Sequence, residues 1–238
     1  MKLAVVTPAY QAERHLRATI ERLLAAQVPG LGAIFVVDDG SRDGTRAIAE
    51  ALARQHQDVQ VIARSRNGGY GAAMKDGLLA ARRAGAQLVA GVHADGQYSP
   101  EALPGLLEER ARRGLDLLQG SRIASGTARS GGMPLHKRAG NAVLNRLENW
   151  SLGLALTDYH SGYLVYGPRA LAQLPLERLS DSFDFDLEVL AAARARGLAV
   201  GEAPIPTHYG DEVSHLNVVT YGLRVLRVLW RYGRGHYA

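Results

Sequence analysis

AIFVVDDGSRDGTRAIAEALARQ, residues 33–55, reads as a complete strand–turn–helix unit. AIFVVD (33–38) is a short aliphatic run bounded by turn residues, the mark of a buried strand. DDGSRDGT (38–45) gathers Asp, Gly and Ser as tight turns do, and Asp43 can cap the helix that follows. TRAIAEALARQ (45–55) carries apolar residues at helical spacing. Outward from this unit the same alternation recurs. LAVVT (3–7), VQVIA (59–63), QLVAGVH (87–93) and LDLLQG (115–120) read as further buried strands. RHLRATIERLLAAQ (14–27), GAAMKDGLLAARRAG (71–85) and PEALPGLLEERARRG (100–114) read as the helices between them. Repeated βα units predict an α/β fold with a central, mostly parallel sheet flanked by helices.

In such sheets ligands bind beyond the carboxyl ends of the strands. The polar clusters stand at those ends: TPAYQ, DDGSRDGT, RSRNGGYG, HADGQ and GSR, each after a strand. One cleft can therefore gather all of them. After residue 120 the alternation breaks. SRIASGTARSGGMPLH (121–136) reads as a loop or lid rich in Gly, Ser and Arg. KRAGNAVLNRLENWSLG (137–153) and FDLEVLAAARARG (185–197) read as helices, and YLVYGP (163–168) as a short strand. The C-terminal LNVVTYGLRVLRVLWRYGRG (216–235) has helical periodicity, with Arg224, Arg227, Arg231 and Arg234 along one face. A basic amphipathic helix of this kind can lie on an anionic membrane surface, or pack on its own domain with a solvated Arg stripe.

Composition narrows the function classes. The 238 residues contain no Cys, which excludes disulfides, thiolate metal sites and a Cys nucleophile. Any metal must use oxygen and imidazole ligands. The formal charge of +5 and pI near 9.6 favour anionic partners such as phosphates and lipid head groups. Nucleic acid fits poorly, because the basic residues are not interleaved with aromatics as a stacking platform requires. The opening MKLAVVTPAY is too brief an apolar run for a signal peptide, and no stretch approaches the ~20 apolar residues of a spanning helix. The expected location is cytoplasmic.

HADGQ (93–97) sets side chains at alternate positions, so that His93, Asp95 and Gln97 share one side of an extended segment and can hold a divalent cation. The ordered set TPAY, VDDGSRDGT, NGGYGAAMKDGL, HADGQYSPE, GSR, TDYHSGYLVY and FDFDLEVL resembles the family 2 glycosyltransferases of GT-A fold. Within that family it is most similar to the dolichol-phosphate mannosyltransferase and polyprenyl-phosphate glycosyltransferase branch, over nearly the whole chain. The resemblance implies one GT-A domain over 1–215, with a nucleotide-sugar half (1–120) and an acceptor half (121–215), followed by the basic helix at 216–238.

It also implies roles. Pro8, Ala9 and Tyr10 match the nucleotide-binding loop, and Asp39, beside Asp38, matches the carboxylate that accepts a base N–H. Asn67 to Gly71, with Lys75 on the next helix and Ala94 beside Asp95, match the rest of the donor site. HADGQ occupies the place of the DxD motif, whose residues bind Mg²⁺ or Mn²⁺ across the donor's phosphates, with His93 in the first acidic position. An imidazole there removes a negative charge and suits Mn²⁺ better than Mg²⁺. Arg122, Arg129, Lys137 and Arg138 resemble the basic residues that receive a lipid phosphate, and Ser161 with Gly162 shapes the floor beside it. Asp184 is the candidate general base, and Asp186 is equally a helix-start charge.

The implied reaction is inverting transfer of a hexose, of mannose or glucose type, from a GDP- or UDP-linked sugar to a polyprenyl phosphate, by a metal-dependent enzyme peripheral to the cytoplasmic membrane face. Asp184, Asp95 and Arg122 are its expected catalytic set. Two other readings stay open: transfer to a soluble or protein-linked hydroxyl with Asp184 as base, and a silent nucleotide-sugar-binding protein. The sequence leaves a homo-oligomer open.

Overall fold

The computed structural model describes residues 2–124, 135–206 and 218–238, with the backbone alone for 135–141 and 218–219. A seven-stranded sheet runs in the order β3-β2-β1-β4-β6-β5-β7. Its strands are β1 (Leu3–Ala9), β2 (Leu31–Asp38), β3 (Val59–Ala63), β4 (Leu88–Gly91), β5 (Leu117–Ser121), β6 (Leu164–Tyr166) and β7 (Val200–Pro204). β3, β2, β1 and β4 are mutually parallel, and β5 is parallel to β7. Only β6 is antiparallel to its neighbours, β4 and β5. The sheet is thus continuous across the two halves expected on either side of residue 120.

The helices are α1 (Leu16–Ala25), α2 (Thr45–Gln55), α3 (Tyr70–Arg83), α4 (Leu103–Arg112), α5 (Leu135–Leu152), α6 (Pro168–Gln173), α7 (Phe185–Ala195) and α8 (Val218–Gly233). Alternation along β1 shows why the strands read as continuous apolar runs. Leu3 and Val5 enter one core with Leu16, Ile20, Leu52 and Leu106 of α1, α2 and α4. Ala4 and Val6 enter the other with Met74, Leu78, Leu190 and Val228 of α3, α7 and α8. Both faces of the sheet are covered, so both pleats must be apolar. Among the described residues no helix is long and apolar enough to cross a membrane.

The expected strand at 87–93 stops at Gly91. From there the chain leaves the sheet and turns through Ala94–Gly96, with Gly96 at φ +74°. α8 packs on α5 and α7. Its buried side holds Val225, Val228 and Leu229, while Leu223, Leu226 and Trp230 face outward. The predicted Arg stripe lies on the boundary between those sides and divides. Arg224 pairs with Asp184 at 3.0 Å and Arg231 with Glu188 at 3.1 Å, both toward α7, while Arg227 and Arg234 stay exposed. The stripe is therefore not wholly solvated, because buried carboxylates lie within its reach.

Candidate functional site

Four of the loops that leave parallel strands are stitched to one another at their carboxyl ends. After β1, the Gln11 N–H donates to Ser41 Oγ at 3.0 Å and the Ala12 N–H to Thr45 Oγ1 at 2.8 Å, which ties TPAYQ to DDGSRDGT. Asp43 accepts from both the N–H and the hydroxyl of Thr45, and Glu13 accepts the Gly44 N–H at 2.8 Å, so two of the N–H groups at the start of α2 are satisfied by side chains. Gly40, at φ +69°, lets the second loop lie against the third: a Cβ there would come within 2.5 Å of the Arg66 carbonyl carbon.

Between these loops lies a cleft of about 290 Å³ lined by Tyr10, Asp38, Arg42, Arg64, Arg66 and Asn67, among others. Asp38 and Asp39 serve different ends in it. Asp39 Oδ1 accepts the Gly68 N–H and Oδ2 the Gly69 N–H, each at 2.9 Å, and Arg64 Nε lies 2.8 Å away. This carboxylate shapes the Asn67–Gly69 loop from within. Asp38 lines the cleft: its Oδ1 accepts the Ser41 N–H at 3.1 Å, and its Oδ2 has no hydrogen bond among the described residues. Tyr10 presents an exposed ring at the rim, Pro8 is half-buried, and the buried Ala9 gives its carbonyl to the Asp39 N–H.

Lys75 and Gly71 face the other side of the third loop. Lys75 Nζ donates to the Leu179 carbonyl at 2.9 Å and pairs with Asp181. At Gly71 a Cβ would stand 2.8 Å from Phe185 Cβ, so glycine lets the first turn of α3 close onto α7. Neither residue touches the 290 Å³ cleft.

In the HADGQ turn, Asp95 Oδ1 accepts the Gln97 N–H at 3.0 Å, and Ala94 is buried with its carbonyl near the Thr19 hydroxyl, 3.5 Å. His93 turns inward. Its Nε2 is 3.1 Å from the Tyr70 hydroxyl, and its ring meets Tyr70 and Tyr98 edge-on with centroids 5.1 and 5.3 Å apart. Burial lowers its pKa below the usual value; Asp95 opposes this and Arg122 adds to it. The imidazole is neutral at pH 7, as a metal ligand must be. Among the described residues no three His, Asp or Glu side chains converge to hold a metal by themselves. The donors present, one carboxylate, one amide and one neutral imidazole, fit a first-row divalent cation whose remaining ligands come from phosphate oxygens.

On the acceptor side, Arg122 leaves the end of β5 and forks onto Asp158, with Nε to Oδ2 at 2.7 Å and Nη2 to Oδ1 at 3.0 Å. Its guanidinium also lies 5.9 Å from the Tyr98 ring centroid. Burial pushes the Asp158 pKa up, but the Arg122 charge and bonds outweigh it and hold this carboxylate below its usual range. Ser161 is fully buried and accepts from the Gln119 amide at 3.2 Å. Arg129 lies outside the described residues, as do the side chains of Lys137 and Arg138 at the start of α5.

Asp184 and Asp186 diverge from the start of α7. Asp184 Oδ1 accepts from Arg224, 3.0 Å, and from the Ser180 hydroxyl, 2.9 Å. Asp186 instead points toward Tyr70 and Gly162, where a Cβ on Gly162 would lie 3.2 Å from its Oδ2. Burial raises its pKa to about 7, against a hydrogen bond from Tyr70 and the nearby His160. Sequence reasoning placed Tyr70 and Asp158 inside motifs but gave neither a role of its own, and it missed the buried Glu148–His160 pair, 3.3 Å apart, whose imidazole also bonds Tyr221 of α8 at 2.7 Å. No periodicity marks these residues; only the packing of α3, α5 and α8 around the 157–163 segment brings them inward.

The sequence profile described as glycosyl transferase family 2 matches residues 4–174. A polyprenol monophosphomannose synthase from Mycolicibacterium smegmatis is 33% identical over 84% of this chain and 75% of its own. An undecaprenyl-phosphate mannosyltransferase from Micrococcus luteus is 31% identical over 86% of this chain and 83% of its own. Among solved structures, glucosyl-3-phosphoglycerate synthase from Mycobacterium tuberculosis, in complex with Mn²⁺, uridine diphosphate and phosphoglyceric acid, superposes with a TM-score of 0.72 over 97% of this chain and 78% of that one, at 18% identity. The last likeness shows the fold, and the profile shows the family: the chain belongs to the family 2 glycosyltransferases.

Proposed function

We propose that this glycosyltransferase moves a hexose from a nucleotide diphosphate sugar to a polyprenyl phosphate at a membrane surface, with inversion. The observation that carries the acceptor class is an apolar outer face beside the site. Val143 and Trp150 of α5 and Leu223, Leu226 and Trp230 of α8 are all exposed, Trp150 to 82%. Arg227 is exposed among them, and Arg234 stacks over Trp230 at 4.2 Å. Indole rings and basic heads at an apolar edge suit the interface of an anionic bilayer. The inner side of α8 sends Arg224 and Tyr221 to the site, so lipid contact and site share one helix. The two mannosyltransferase relatives, whose names specify prenyl phosphates, support the same reading.

In this reading Asp38 accepts a guanine or uracil N–H, Tyr10 covers the ring, and Arg42 and Arg66 face its carbonyl oxygens. Asp39 holds the 67–69 loop, and Lys75 holds the 179–181 segment that packs on α3. A divalent cation, Mn²⁺ or Mg²⁺, bound by Asp95, Gln97 and His93, would neutralise the charge on the departing diphosphate. Arg122, oriented by Asp158, meets the acceptor phosphate with Lys137, Arg138 and Arg129, above the Ser161 floor. A phosphate oxygen attacks the anomeric carbon as the bond to the diphosphate breaks. The phosphate is already ionised, so no general base is required, and Asp184 anchors α8 through Arg224. Catalysis then rests on positioning and electrostatics.

The test is turnover of a panel of GDP- and UDP-sugars by the full chain, with a short-chain polyprenyl phosphate and with Mn²⁺, Mg²⁺ or EDTA. Transfer that needs both lipid phosphate and metal supports the reading. Donor binding without transfer under every condition overturns it.

A further inference from the structure

Arg122 and Asp158 are joined by more than their own fork. Each follows a hydroxyl residue, Ser121 at the end of β5 and Thr157, and the two hydroxyls lie 2.7 Å apart. Thr157 gives both its N–H, at 2.7 Å, and its hydroxyl, at 3.0 Å, to one oxygen of Glu202 on β7. A carboxylate only accepts, and a hydroxyl has one hydrogen. Thr157 places its own on Glu202, so the Ser121 hydroxyl must donate to Thr157. Ser121 Oγ in turn accepts the Ala124 N–H at 3.0 Å. The bonds therefore run one way, from the Ala124 N–H through Ser121 and Thr157 to Glu202.

Bonds in such a chain polarise one another, and a charged acceptor at its end strengthens the last of them. Ser121 is fully buried, and Thr157 and Glu202 are half-buried. Arg122 is thereby held between two pinned positions, 121 and 124, while Asp158 follows a third. The pairing of β5 with β7 sets Gln119 beside Glu202, and the Arg113 guanidinium donates to the Glu202 carbonyl at 2.8 Å, so the carboxylate stands on a fixed strand. The His160 N–H, 3.0 Å from Asp158 Oδ1, steadies the fork from within its own segment, whereas Glu202 reaches it from a separate strand.

Resting on the reading of Arg122 as the receiver of the acceptor phosphate, we propose that Glu202 is a positioning residue for that phosphate. It anchors Thr157, and through it Ser121, so that the Arg122–Asp158 fork is presented at one fixed place. A carboxylate would repel the phosphate, and Glu202 acts only through Thr157.

The experiment is steady-state kinetics of the full chain with its nucleotide sugar and a short-chain polyprenyl phosphate, on Glu202→Ala, Thr157→Val, their double variant and Arg122→Ala, each checked for folding by circular dichroism. Glu202→Ala raises the KM for polyprenyl phosphate about 10-fold or more, and leaves the KM for the nucleotide sugar unchanged. Thr157→Val moves the same constant in the same direction, and the double variant is no worse than Glu202→Ala alone, because both residues belong to one chain. An unchanged acceptor KM in folded Glu202→Ala overturns the proposal, as does an equal rise in both constants, the mark of a merely structural role. Should Glu202→Ala not fold, an unchanged acceptor KM in Thr157→Val overturns it instead. If Arg122→Ala alone loses the acceptor, the lipid-phosphate reading survives and only the role of Glu202 fails. If the wild type transfers no sugar to polyprenyl phosphate, both fall.

Discussion

Replacing Asp39 with Ala separates two roles that one carboxylate could fill. The side chain is 3% exposed, and its oxygens accept the Gly68 and Gly69 N–H groups at 2.9 Å while Arg64 lies at 2.8 Å. Hydrogen bonds to a charged acceptor contribute about 1.5–3 kcal/mol each, and two are lost. Arg64 keeps Asp76 as a partner, so its charge is not stranded. The expected loss is about 3–5 kcal/mol, which in a chain of this length lowers Tm by on the order of 10 °C. Asp39→Asn loses nearly as much, because its amide N–H₂ would face a backbone N–H. The assay is thermal unfolding followed by circular dichroism, with calorimetric titration of GDP and UDP well below the transition. The matched variant Asp38→Ala, which removes a carboxylate from the cleft itself, loses nucleotide affinity with a much smaller fall in Tm. A stable Asp39→Ala protein that no longer binds nucleotide would refute the reasoning, since its carboxylate would then be free for the base.

Three further outcomes follow from buried charge and exposed indole. Asp186 has a folded pKa near 7, above its usual 3.8, so the folded state holds a proton that the unfolded chain releases. Its carboxyl therefore costs nothing below about pH 4, and the cost grows to about 4 kcal/mol by pH 8. Relative to Asp186→Asn, the wild type loses stability between those pH values; a pH-independent difference in urea midpoints would contradict this. Arg231→Ala takes the cation from Glu188, which is 1% exposed and keeps only the neutral Ser180 N–H and Tyr237 hydroxyl as donors, and costs about 2–3 kcal/mol, whereas Arg224→Ala, whose side chain is 42% exposed, costs under about 1 kcal/mol. Equal urea midpoints for the two would count against the division of the Arg stripe. Trp150→Ala with Trp230→Ala leaves Tm nearly unchanged but lowers sedimentation with anionic vesicles several-fold; retained vesicle binding would remove the outer face as a lipid contact.

The βα alternation was legible because each parallel strand is covered on both sides and so carries an unbroken aliphatic run, as AIFVVD does. β7 escaped, because VGEAP holds few apolar residues and Gly201 and Glu202 break any pattern. Local spacing located the loops but not the direction of their side chains. Asp38 and Asp39 are adjacent and chemically identical, and only the approach of Gly68 and Gly69 decides which is consumed inside the loop. The same holds at 93–97, where alternation predicts a shared face, but the strand ends at Gly91 and Tyr70 draws the imidazole inward. Arg224 and Arg231 looked like surface charge because their partners, Asp184 and Glu188, lie about forty residues away in sequence.

Everything proposed for the acceptor side rests on a lipid phosphate receiving the sugar. The most direct measurement is transfer of radiolabelled sugar from GDP- and UDP-linked donors into solvent-extractable lipid, with a polyprenyl phosphate compared against the same polyprenol lacking its phosphate. The expected result is label in the phosphorylated lipid, none in the alcohol, and loss of that label in Arg122→Ala. Label transferred to the alcohol or to a soluble hydroxyl, with none in the lipid phosphate, would contradict it.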